Sequence, residues 1–333
     1  MEKREISQEV YEKIRKDIPE AIIQMLPDRP ENLRKYAKRV KEVQFSKGIP
    51  DEVKQKMIAH RLSDEEYLKT FYDVMAITFY QKKPVDKPKM MIVAAQTGSG
   101  KSNLTAKLLR ENNNCIFVDS DKYKHFRYDA QEIASKEQVL YPFLTGPDAY
   151  DHADNIYQYA REHRYNIIKE SAPSMTKGLF GKDSEDLLKN GYQIQVHVLA
   201  VGKLNSALSV HERYELQIIH GLKTAKLTDR KRHDESYEAL EENIRQIQDR
   251  FEVQVYTRGR KENNFEPIRI YPDKKYASAV DAIAAARKED NQITVSELGE
   301  RYQLIQRQMD ARNAPKEQKE QLINLCEGEK NEK

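Results

Sequence analysis

Residues 95–102 read Ala-Gln-Thr-Gly-Ser-Gly-Lys-Ser, a spacing suited to holding phosphate. Gly98 and Gly100 can take the left-handed backbone that turns successive N–H groups toward one anion. A helix beginning near Gly100 would add the positive end of its dipole. Lys101 is then expected to reach the β- and γ-phosphates and the Ser102 hydroxyl to ligate Mg²⁺, with Ser99 and Asn103 completing the cradle. Alanine stands at the first glycine position of such loops, where a small residue is what matters. The chemistry implied is binding of ATP or GTP. The sequence has no N-K-x-D base-reading motif and no clear apolar strand ending in an Asp-Glu pair, which argues against GTPases and motor ATPases.

A phosphate cradle does not name a reaction, and the acids nearby carry the next step. In an open α/β sheet the carboxyl ends of strands face the binding crevice. Asp119 and Asp121, in F-V-D-S-D-K-Y-K, end the second expected strand and would lie beside the γ-phosphate. Asp121 could take the proton of an attacking hydroxyl, and Asp119 could orient metal-bound waters; either could instead cap the next helix. Glu170 ends the third strand, where an acid could hold a substrate hydroxyl, hold a metal-bound water, or form a buried ion pair. Arg213, on the helix after the fourth strand, could reach back to the triphosphate or remain a surface arginine. His197 and His211 lack metal-ligand spacing and read as packing or surface residues.

The elements that must position these groups alternate strand and helix. Strands are expected over 89–95, 115–121, 165–171, 192–201 and 251–258, and helices over 102–110, 151–163, 205–221 and 233–250. This is an α/β pattern: a mostly parallel sheet covered by helices on both faces. Ahead of it, Ser63 with Glu66 forms a capping-box signature, and Tyr67, Phe71, Val74, Met75 and Phe79 share one helical face. Residues 1–60 read as a helical N-terminal extension, 61–272 as the P-loop α/β domain, and 273–333 as a helical C-terminal extension.

Composition limits the partners. A net charge of +3 over 333 residues, with 33% charged residues, supplies no electrostatic case for nucleic acid. The longest fully apolar run, M-M-I-V-A-A, is too short to span a bilayer, and the N-terminus shows no signal-peptide core. Cys115 and Cys326 have no partner spacing for zinc, and a disulfide framework is not expected, consistent with the cytoplasm.

The loop, F-V-D-S-D-K-Y-K, Y-N-I-I-K-E-S and above all V-H-V-L-A-V-G-K-L-N-S-A-L-S-V-H-E-R-Y-E resemble the zeta toxin family of P-loop kinases over roughly residues 60–260. The last stretch matches the family's A-V-x-K-x-N-S segment and E-R-Y-E helix at Ala200, Val201, Lys203, Asn205, Ser206 and Glu212 to Glu215. The resemblance implies ATP- and Mg²⁺-dependent phosphorylation of the 3′-hydroxyl of UDP-N-acetylglucosamine, which starves cell-wall synthesis. It implies Asp121 as general base, Glu170 and Asp154 on the substrate side with Asp119 nearby, and Arg213 as the charge-neutralising arginine. It also implies a small helical antitoxin as partner; residues 1–60 could instead act as an intramolecular cover. Two positions depart from the family. Lys226 stands where a second phosphate-facing arginine is usual, with Arg230 and Arg232 as substitutes, and Ser171, Ala172, Pro173 and Ser174 replace a G-T-G-R-like turn. Other acceptors therefore stay open (a nucleotide cofactor, an antibiotic or another metabolite), as does a nucleotide-dependent interaction protein with no acceptor.

Overall fold

Six residues, Lys89–Ala94, form the strand that leads into the phosphate loop, and all but the first are buried. The computed structural model describes residues 2–45, 48–171, 182–222, 225, 227–259, 265–291 and 295–328. Its backbone falls into two compact units, Met1–Pro88 with Asn114–Ile167, and Lys89–Asn113 with Ile168–Lys333.

In chain order the elements begin β1 (Lys3–Glu5), α1 (Gln8–Arg15), α2 (Glu20–Met25), α3 (Pro30–Leu33), β2 (Lys38–Val40), α4 (Asp51–Ala59) and α5 (Asp64–Phe79). The series continues with β3 (Lys89–Ala94), α6 (Lys101–Glu111), β4 (Cys115–Val118), α7 (Ser120–Tyr123), α8 (Ala130–Lys136) and α9 (Tyr141–Glu162). Next come β5 (Asn166–Ser171), α10 (Lys182–Lys189), β6 (Gln193–Ala200), α11 (Lys203–Ile219) and α12 (Arg230–Arg245). The last are β7 (Glu252–Thr257), β8 (Ile268–Tyr271), α13 (Ala279–Asn291), α14 (Val295–Ala311) and α15 (Lys316–Gly328).

The first unit is built around α5 and α9. The Ser63–Glu66 capping box forms as expected, and the five residues assigned to one face of α5 are all buried. Charge, as well as apolar packing, ties the N-terminal segment to these helices. Asp148 of α9 is fully buried and meets Arg39 at 3.2 Å, Arg61 at 2.9 Å and Arg127 at 2.9 Å. Asp64 takes Arg39 and Arg4, each at 2.7 Å, and Asp151 takes Arg61 at 2.9 Å. The N-terminal segment also holds an antiparallel pair, β1 with β2, where helices alone were expected. Strands of three residues are too short to show alternation in sequence. Helix α9 begins ten residues earlier than expected and carries Pro147 within it. The strand expected over 115–121 stops at Val118, because the Asp119 carboxylate accepts the N–H groups of Asp121 and Lys122 and starts α7.

In the second unit the strands run β5-β3-β6-β7-β8. β3 pairs with β6 and β6 with β7 in parallel, and β8 closes this edge antiparallel to β7. Helices cover both faces, giving the mostly parallel α/β sheet that the strand–helix rhythm implies. The C-terminal hairpin α14–α15 packs on α11 through Leu298, Ile305, Met309, Leu322 and Leu325 against Ala207 and Leu208. Among the described residues no helix is long and apolar enough to cross a membrane.

Candidate active site

The phosphate loop takes the conformation its glycines permit. Gly98 has φ +80° and Gly100 φ +90°, and Gly100 caps α6 with no side-chain hydrogen bond to its first turn. The opening N–H groups of α6 therefore sit at a helix end suited to an anion. Gly98 is needed for space as well as for φ: a Cβ there would lie 2.0 Å from the Ser206 carbonyl oxygen and 2.8 Å from Val210 Cγ2. The loop thus rests directly on α11.

Other contacts fix the same seat. Gln96 Nε2 donates to the Val201 carbonyl at 2.6 Å, and the Thr97 N–H donates to Ser236 Oγ at 3.4 Å. Arg287 lies 3.8 Å over the Tyr237 ring and pairs with Glu241 at 2.8 Å. Ser206 Oγ is 2.9 Å from His233 Nε2, and His233 Nδ1 is 2.8 Å from Asp234. The motif residue Ser206 is therefore buried beneath the loop as a support.

Lys101 Nζ lies 3.6 Å from Glu170 Oε2, while Glu170 Oε1 accepts a 2.6 Å hydrogen bond from Thr105 Oγ1. The structure thus brings the loop lysine and the acid ending β5 together. Both are about one-quarter exposed, so the ion pair sits at the surface of the crevice.

These residues fit a triphosphate. Two left-handed glycines, an uncapped helix start and a lysine converge, and the Ser99 hydroxyl is buried with no hydrogen-bond partner among the described residues. Ser102 and Asn103 are exposed on the first turn of α6. No cluster of three His, Cys, Asp or Glu residues suited to a metal occurs among the described residues. A metal here would be held by Ser102 with phosphate oxygens and water, the usual arrangement for Mg²⁺ on a nucleotide.

The remaining candidates are placed as follows. Asp119, Asp121 and Asp154 belong to the first unit. Asp119 caps α7; the Asp121 carboxylate is 84% exposed and lies 2.5 Å from Lys124 Nζ; Asp154 on α9 faces Lys3 at 3.6 Å. Arg213 is exposed on α11, and Arg230 pairs with Asp234 at 3.4 Å. Lys226 and the turn residues Ala172, Pro173 and Ser174 lie outside the described residues. Burial pushes both His197 and His211 down to about 4, so each stays a neutral packing residue.

Sequence reasoning missed three arginines that grip α11, the first of them beside the loop. Arg258 follows β7 directly, and its Nη1 donates to Ser209 Oγ at 2.7 Å and Asn205 Oδ1 at 3.3 Å. Arg301 of α14 grips Glu212 with two hydrogen bonds of 2.6 Å and also bonds Ser209 and Asn205. Arg312 grips the fully buried Glu215 at 2.6 and 2.7 Å. Both glutamates of E-R-Y-E are therefore held by the C-terminal hairpin. The only sequence signal for Arg258 was its place at the carboxyl end of a strand.

Comparison with known proteins agrees with this architecture. The zeta toxin family model matches residues 75–275. Toxin zeta of Streptococcus pyogenes is 26% identical over 55% of this chain and 63% of its own length. Toxin PezT of Streptococcus pneumoniae serotype 4 is 28% identical over 54% of this chain and 72% of its own. The chain spans roughly three-fifths of the length of the curated zeta toxins it matches. A chain from the structural study of the PezAT chromosomal toxin–antitoxin system of Streptococcus pneumoniae superposes with a TM-score of 0.59. That match covers 76% of this chain and 98% of the other at 17% identity, and shows a shared fold. With a family model spanning well over half of its residues, the chain belongs to the zeta toxin family.

Proposed function

We propose that the protein is a zeta-type kinase that transfers the γ-phosphate of ATP to a hydroxyl, the 3′-OH of UDP-N-acetylglucosamine, in the cytoplasm. The observation that carries this reading is the Lys101–Glu170 contact at the mouth of a glycine-built phosphate loop. It puts a cation for the transferring phosphate next to an acid that can hold an acceptor.

In this mechanism the N–H groups from Gly98 to Ser102 and the Lys101 ammonium bind the triphosphate. Ser102 would hold Mg²⁺, which would supply charge neutralisation to the phosphate oxygens. Glu170 turns from Lys101 to the acceptor and orients its hydroxyl, with Asp154 and Asp119 on the substrate side. Asp121 takes the hydroxyl proton as the acceptor oxygen bonds to the γ-phosphorus and the bond to the β-phosphate oxygen breaks, releasing ADP. Arg213, with Lys226 as a second cation, stabilises the charge on the transferring group. A small helical antitoxin is proposed as the partner, because the structural neighbour comes from a toxin–antitoxin system.

A second acceptor class, another hydroxylated metabolite, is favoured by Ala172-Pro173-Ser174, where an arginine for an anionic substrate is missing. Phosphate transfer from labelled ATP to UDP-N-acetylglucosamine and to a metabolite extract, for wild type and Asp121→Ala, tests the scheme. Loss of acceptor labelling by about 10²- to 10⁴-fold with ATP binding intact is expected. Equal turnover in the variant removes Asp121 from the base role, and labelling only in the extract replaces the acceptor.

A further inference from the structure

Among the described residues, the arginine beside the phosphate loop is held by neutral side chains. A Cβ built on Gly100 would lie 3.9 Å from Arg258 Nε, so the guanidinium flanks the start of α6. Among the described residues Arg258 donates through Nη1 to Ser209 and Asn205, and both acceptors are neutral. The neighbouring acids are committed elsewhere. Arg301 holds Glu212, and Asp290 accepts from the Asn205 amide at 3.0 Å and from the Gly202 N–H at 2.6 Å. Arg258 has no carboxylate partner within 4 Å among the described residues. Burial first, and then the adjacent Arg301, lowers its affinity for its own proton. A partly desolvated guanidinium beside a second cation, with Glu212 and Asp290 near it but not in ion-pair contact, is a place where an anion is favoured.

Strand order says which part of the anion. Glu170 lies near the end of β5 on one side of β3, whereas Arg258 follows β7, two strands away on the other side. The transferring end of a triphosphate belongs with Lys101 and Glu170, so the rest of the phosphate chain runs toward β6 and β7.

We propose that Arg258 is a nucleotide-binding residue that contacts the α-phosphate side of the triphosphate seated at Gly98–Ser102. Asn205 and Ser209 aim it, and Arg301 of the C-terminal hairpin occupies the glutamate that would otherwise neutralise it. The assignment rests on the phosphate-loop reading above. It gives the site a second arginine from outside the segment following E-R-Y-E, and makes the C-terminal hairpin part of nucleotide binding.

Calorimetric titration of the full chain with ATP and, separately, with inorganic tripolyphosphate tests it. The variants are Arg258→Met, which keeps the aliphatic stem, and Arg258→Gln, which keeps a donor for Ser209 without the charge; thermal unfolding selects those that fold. Parallel weakening for both ligands by about 10- to 100-fold is expected, with kcat changed by no more than about 3-fold and the KM for ATP raised. Unchanged ATP affinity in either folded variant overturns the proposal. Weakened ATP with unchanged tripolyphosphate also overturns it, since the contact would then be to the base. A wild-type protein that binds neither ligand defeats the phosphate-loop reading itself, a different outcome from failure at Arg258.

Discussion

Each of the two units concentrates arginine and acid, and the difference between them separates scaffolding from chemistry. In the first unit Asp148 alone takes Arg39, Arg61 and Arg127, with Asp64 and Asp151 filling most remaining sites. Around the phosphate loop the pairing is incomplete by comparison. Lys101 has one acid at 3.6 Å, and Arg258 has neutral partners. A closed network locks helices together; an open one keeps charge ready for a ligand.

The largest effect should come from opening the closed network. Asp148→Ala removes the carboxylate shared by three guanidiniums, each keeping one other acid, and is expected to destabilise the protein by about 3 kcal/mol in chemical denaturation. ATP affinity should hold in whatever fraction remains folded. A comparable loss of ATP affinity would break the division between scaffold and site. On the open side, Lys101→Ala should lower turnover by on the order of 10²- to 10³-fold while the unfolding midpoint stays within a degree or two. A large midpoint shift would make Lys101–Glu170 a structural pair instead.

Acid pH should strain the closed side further. His152 is fully buried, stacked on Tyr67 at 4.2 Å, and burial followed by Arg39, Arg61 and Arg127 pushes it down to about 3. The unfolded chain takes up that proton near pH 6.5, which the folded ring refuses until about pH 3. Stability is therefore full above pH 6.5 and declines as pH falls toward 3, by about 2 kcal/mol at pH 5 from this residue. Denaturation of wild type and His152→Phe at pH 7 and pH 5 should show a shallower decline in the variant. The smallest expected change is at Asp154, whose exposed contact with Lys3 contributes less than about 1 kcal/mol. Asp154→Asn should leave stability nearly unchanged, so a raised KM for the acceptor would reveal a substrate role.

Legibility in the sequence followed locality. The loop at 95–102, the capping box at Ser63 and the parallel strands were readable because each signal is complete within about ten residues. Helix α9 begins ten residues before the expected start; Pro142 lies in its opening turn, where no N–H partner is needed, and Pro147 within it. The same sequence segment that identified the family, A-V-x-K-x-N-S, gave no hint that Asn205 would anchor two arginines and Ser206 would support the loop.

From the amino-acid sequence alone follow the phosphate loop, the strand–helix alternation around it and the family resemblance, because backbone freedom and hydrophobic period act between near neighbours. Only the tertiary structure could decide that Gly98 must lie against Ser206, that Glu170 meets Lys101 and that Arg258 stands beside Gly100. Those pairs are 69 to 158 residues apart along the chain, and their meeting depends on strand order and helix packing, which no local spacing encodes.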